Sequence, residues 1–135
     1  MNVLVAATAE AGRDARERLR AAGFTVETVK TTAAARLRAA TVDVVVAGPP
    51  SDGTETALID TLTDTDTPVV RLDAASALPT LVRVADYHRR YRAAMDEFYE
   101  QSRSGGDPEP AAARADAVRA AARELAGPAP FTRLL

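Results

Sequence analysis

The chain of 135 residues contains no cysteine, no tryptophan and one histidine. A disulfide framework, a thiolate metal site and a cysteine nucleophile are therefore excluded. His88 alone cannot build a multi-histidine zinc site. Three Phe and three Tyr provide no stacking platform for bases. A dominant charge is missing as well. The formal net charge is −2 and the pI about 5.4, so no global field draws the chain to nucleic acid or anionic membranes. No apolar run reaches the roughly 18 residues of a membrane span, and the N-terminus lacks a basic n-region. A soluble, cytoplasmic protein without signal peptide or membrane contact is expected.

Against these absences stands a hydrophobic content of 47%. That suits one small domain, or one domain with a helical appendage. The first half alternates strand and helix signals. Residues 2–6 (NVLVA) form a short apolar run, readable as a buried strand. Thr8 is a plausible N-cap, with Glu10 in the first turn of a helix over residues 9–22. Ala11, Ala15, Leu19 and Ala22 share one face of it. Gly23 supplies the left-handed residue after the helix, and Phe24 the hydrophobic contact that follows. Residues 24–29 give an outer strand. Thr31 or Thr32 caps a second helix to residue 40, with Leu37 inward. Residues 42–47 (VDVVVA) are the most apolar run and predict a central strand buried on both faces. A loop over 48–53 precedes a short helix at 54–62, carrying Ala57, Leu58, Ile59 and Leu62. Residues 68–72 (PVVRL) give a fourth strand, with Pro68 at its start.

This βαβαβαβ order predicts a parallel sheet with helices on both faces and right-handed crossovers. Ligands of such sheets bind beyond the carboxyl ends of the strands. Ala7, Thr8, Gly48, Pro49, Pro50, Asp52 and Asp73 lie there.

The second half is helical. Residues 78–103 contain no Gly, and their one Pro, Pro79, falls in the first turn, where it is tolerated. Leu81, Val84, His88, Tyr91, Met95 and Phe98 recur at spacings of 3, 4, 3, 4 and 3. That is an a/d seam of nearly three heptads, a short coiled-coil pattern. Residues 104–110 (SGGDPEP) form a Gly/Pro linker. A second helix over 111–126 places Ala111, Ala115, Val118, Ala122 and Leu125 on one stripe. Gly127, Pro128 and Pro130 end it, leaving residues 127–135 as a flexible tail. The fold class is thus α/β: a flavodoxin-like parallel sheet of about four strands flanked by helices (1–75), plus a C-terminal helical hairpin.

Residues 2–74 resemble a response-regulator receiver domain. The likeness lies in VLVA at Val3–Ala6, AAGFTVETV at 21–29, DVVVAGPPSDG at 43–53 and TPVVRLDA at 67–74. It implies a flavodoxin-like fold, a Mg²⁺-holding acid pair after the first strand and an aspartate phosphoacceptor after the third. It further implies a Thr or Ser after the fourth strand and a Lys after the fifth. This chain departs at every one. The acid pair falls on Ala7 and Thr8, the phosphoacceptor on Gly48 and the hydroxyl position on Asp73. No Lys follows Lys30. The resemblance therefore implies a shortened, non-catalytic pseudo-receiver without cofactor or metal. The stretch ADYHRRYRAAMDEFY at 85–99, with the helix after it, resembles the HalX domain that follows receivers in haloarchaeal response regulators. One Lys against 16 Arg agrees with a GC-rich genome.

Three readings of function follow. The first is a signalling module acting through protein–protein contacts. Its partner is a protein or itself, a homodimer joined through Leu81, Val84, His88, Tyr91, Met95 and Phe98. The second is a DNA-binding regulator using Arg83, Arg89, Arg90 and Arg92. Residues 78–103 carry five Arg but also four acids, so nucleic acid ranks behind protein as a partner. The third is a small-ligand sensor at the strand ends near Gly48. Asp43, Asp52 and Asp73 do not suggest a metal site, since Asp43 starts a strand at the end opposite Asp73.

Overall fold

The computed structural model describes residues 1–72 and 78–126, with side chains to residue 124. It forms two compact units, Met1–Val82 and Arg83–Leu135. Asp73, the Leu125 side chain and the tail from residue 127 lie outside what is described.

The first unit runs β1 (Asn2–Ala6), α1 (Ala9–Ala21), β2 (Thr25–Val29), α2 (Thr32–Ala39), β3 (Val44–Ala47), α3 (Glu55–Thr63) and β4 (Val69–Arg71). The strands are all parallel, in the order β2-β1-β3-β4. That is the flavodoxin-like order as far as its fourth strand. Val3 pairs with Val44 and with Val26, so the alternation of side chains sorts the core into two layers.

One layer holds Leu4, Ala6, Val45 and Ala47 with Ala35 and Ala39 of α2 and Leu58 and Leu62 of α3. Val3, Val5, Val44 and Val46 form the other face, where α1 contributes Ala15 and Leu19, and all six are fully buried. Leu78 and Val82 are fully buried too.

The junction after α1 follows from Gly23. It adopts φ 94°, its N–H bonds to Arg20 O, and the Phe24 N–H bonds to Leu19 O. This is the Schellman pattern, which satisfies the last free carbonyls of the helix. Phe24 is buried beside it.

Several expectations are corrected. Leu37 is 80% exposed, and α2 instead buries Ala35 and Ala39. Two methyl groups at i and i+4 let the helix lie close on the sheet, which a Leu would prevent. Helix α1 buries Gly12, Ala15 and Leu19, with Ala11 only half-buried. Thr8 occupies the N-cap position, yet its side chain makes no capping hydrogen bond. Among the described residues, β4 has no neighbour beyond β3. Pro68 O accepts from Val45 N–H and Leu72 N–H donates to Ala47 O, so the polar backbone groups of Val69 and Arg71 face the open edge.

The second unit is a helical hairpin. Helix α4 (Leu78–Ser104) starts in the first unit and carries into the second; α5 is Glu109–Ala126. The connection over 105–108 is short, and an ion pair between Glu97 and Arg114 links the antiparallel helices. Helix α5 starts earlier than residue 111, because Pro110 sits in its first turn, where no intrahelical N–H is needed. Asp107 Oδ1 accepts from Glu109 N–H at 3.0 Å and caps that turn.

Candidate functional site

The loops beyond the carboxyl ends of β1, β2 and β3 bond to one another. The loop after β3 crosses the ends of β1 and β2. Thr8 N–H donates to Pro49 O (2.9 Å), Gly48 N–H to Ala6 O (2.8 Å) and Ser51 N–H to Lys30 O (2.8 Å). Asp52, further along that loop, reaches the start of α2. Its Oδ1 accepts from Thr32 N–H at 2.9 Å and from Thr32 Oγ1 at 3.2 Å. Thr31 Oγ1 caps the same helix through Ala34 N–H at 3.2 Å. Asp52 is thus committed to a helix end. Asp43 lies at the opposite end of the sheet, where its Oδ2 accepts from Asn2 N–H at 2.8 Å.

Gly48 itself is buried, and a side chain on it would crowd its neighbours unless Leu72 turned aside. A Cβ there would fall 2.9 Å from Leu72 Cδ2 and 3.1 Å from Ala7 Cβ. Leu72 is held by its N–H bond to Ala47 O at 2.8 Å. Among the described residues, the centre of the strand ends is lined by Ala7, Gly48 and Leu72, none of which carries an acid, a base or a nucleophile.

On α4 the seam residues divide. Val84 is buried within the single chain, while Leu81, His88, Tyr91, Met95 and Phe98 are half-buried. Leu81 falls in the first unit and the other five in the second. On α5, Ala111, Ala115 and Ala122 are buried and Val118 is half-buried. Desolvation lowers the pKa of His88 below its usual value, and the nearby Arg92 charge adds to the effect.

The polar surprise of α4 is Asp86, 2% exposed. Its two oxygens bind Arg89 Nη2 at 2.8 Å and Arg90 Nη2 at 3.0 Å, three and four positions on, about one helical turn away. The Arg90 guanidinium also lies 5.6 Å from the Tyr87 ring centroid. Two of the four arginines considered for nucleic acid are thereby engaged by one carboxylate. Neither the burial of Asp86 nor the 54% exposure of Tyr99 was legible in the sequence, where both sit on an ordinary mixed helix. The i,i+3 and i,i+4 spacing of Asp86 to Arg89 and Arg90 was the available signal for the ion pairs.

Fold and site together define a four-stranded parallel α/β unit whose loops after β1, β2 and β3 bond to one another, and a helical hairpin with a half-covered apolar stripe. No helix among the described residues is long and apolar enough to cross a membrane. No family model matches the chain, and no curated protein or solved structure is significantly similar to it.

Proposed function

We propose that the protein is a non-catalytic signalling module, a pseudo-receiver that works through protein–protein contacts. The observation that carries this reading is the packing at Gly48. The position where the receiver resemblance expects a phosphoacceptor has no side chain, and Leu72 and Ala7 crowd the space one would take. What the molecule offers instead is the stripe of Tyr91, Met95 and Phe98 on the hairpin, apolar and only half covered. Such a stripe in a two-helix layer is suited to a further helical layer, and self-association supplies one.

The test has two arms. The full chain is incubated with a small acyl phosphate and Mg²⁺ and weighed intact; an unchanged mass supports the reading, and stoichiometric phosphoryl uptake overturns it. Sedimentation at tens of micromolar should show a dimer that Tyr91→Glu or Phe98→Glu dissociates. A strict monomer that neither substitution alters would remove self-association.

A further inference from the structure

The hairpin is electrically neutral as a whole but strongly polarised along its length. Residues 83–95 and 117–126, at the end away from the turn, carry six Arg and two acids, a net +4. Residues 96–116, around the turn, carry six acids and two Arg, a net −4. Because α4 and α5 are antiparallel, like charges of the two helices lie at the same end. Arg92 and Arg119 are exposed on the basic side of the hairpin's middle, and Asp96, Glu100 and Asp116 on its acidic side.

Helix dipoles account for only the end turns of this pattern: Arg103 in the last turn of α4, and Glu109 and Arg123 in the first and last turns of α5. In the body of α4, Arg83, Arg89, Arg90 and Arg92 precede Asp96, Glu97 and Glu100. There the dipole does not set the order of charges. Packing the two helices side by side adds like charge to like. A partner with the reverse polarity would turn that repulsion into attraction. A second copy turned end for end has that polarity.

We infer that two copies associate through their hairpins in an antiparallel, two-fold arrangement, each basic end lying against the other copy's acidic turn end. The inference rests on the self-association proposed above and adds its geometry. The half-buried Tyr91, Met95, Phe98 and Val118 lie near the middle of the hairpin, where the two-fold axis falls and each copy meets itself. The product is a four-helix layer pair with the apolar stripes inside and complementary charges outside them. A parallel pairing would set +4 against +4 and −4 against −4.

The absence of cysteine makes the experiment clean, since Ser104→Cys gives one labelling site at the exposed end of α4. Spin labels on the full-length dimer should lie roughly 25–30 Å apart along the axis, at 1.5 Å per residue from its centre. Parallel pairing would bring them to less than half that separation. In addition, Arg92→Glu with Arg119→Glu, and separately Asp96→Arg with Glu100→Arg, should each raise the dimer Kd by about tenfold or more. An equimolar mixture of the two variants should regain affinity, because one acidic end and one basic end remain to meet. The long distance with rescue on mixing supports the antiparallel arrangement. A short distance, or no rescue, overturns it while leaving self-association standing. The absence of any dipolar coupling together with a monomeric mass overturns both.

Discussion

Leu72 and Gly48 are fitted so closely that the Leu72 Cδ2 atom stands 2.9 Å from where a Gly48 Cβ would lie. Gly48→Ala should therefore cost about 1 kcal/mol, the low end for overpacking, because the half-buried Leu72 side chain can turn aside. Leu72→Ala should also destabilise, but the double variant should lose less than the two single losses combined. Urea unfolding of the four proteins measures that coupling. Additive losses would show that the two side chains do not compete for one space. The same contact implies that Gly48→Asp destabilises the chain and does not install a phosphoacceptor.

Asp86 should respond asymmetrically with its partners. Its carboxylate is buried, while the side chains of Arg89 and Arg90 are 39% and 53% exposed. Asp86→Ala frees two guanidinium groups that can turn to water, and should cost about 1 kcal/mol. Arg89→Ala with Arg90→Ala leaves a buried carboxylate without these two cations, and should cost about 3 kcal/mol. Thermal melts of the two variants decide the order.

The start of α2 is held by acceptors from two segments, Thr31 Oγ1 and Asp52 Oδ1. Asp52→Ala and Thr31→Val should each lower stability by about 1 kcal/mol, the usual worth of a cap. Asp52→Ala should in addition raise amide exchange in the loop after β3, since that side chain ties the loop to α2. Hydrogen exchange at residues 50–54 measures this. Equal exchange in both proteins would assign Asp52 no tethering role.

His88 should make the fold less stable in mild acid. Its folded-state pKa is lowered, first by burial and then by Arg92. Between the unfolded value near 6.5 and the lower folded value, the unfolded chain binds more protons than the folded one. The His88 contribution therefore falls as the pH drops through that window, and it is fully present above it. His88 is the one histidine in the chain, so His88→Leu should flatten the stability difference between pH 7.5 and pH 5.5. Paired denaturation curves at the two values check it.

Leu37 should be nearly silent, and Ala39 should not. With 80% of Leu37 exposed, Leu37→Glu should change stability by less than about 0.5 kcal/mol. Ala39→Leu, at a fully buried position, should cost about 1–3 kcal/mol. Chemical denaturation of both variants provides the comparison.

How far these features could be read beforehand depended on whether the cause was local. The Gly23–Phe24 helix end is set by three consecutive residues and their carbonyl partners, so the sequence carried it in full. The parallel sheet followed from the alternation of strands and helices, and the apolar run of β3 marked a central strand, whereas the order β2-β1-β3-β4 came from the structure. The orientation of α2 was not local. In an eight-residue helix rich in Ala, hydrophobicity alone points Leu37 inward, and only the narrow gap above Leu4, Ala6, Val45 and Ala47 selects Ala35 and Ala39. The plug at Gly48 escaped for the same reason. Gly48 and Leu72 are far apart in the chain and meet only once β4 is laid beside β3. For α4 the heptad spacing found the stripe but could not tell that Val84 is already covered, or that a carboxylate one turn before Arg90 would be buried.

The outer margin of β4 bears on how the protein behaves when crowded. Only the amide and carbonyl groups of Val69 and Arg71 face outward there, and Arg71 is exposed. A template of two residues ending in a guanidinium is too brief and too charged to recruit an extended chain by backbone pairing. Concentrated solutions should therefore remain free of fibrils nucleated at this margin.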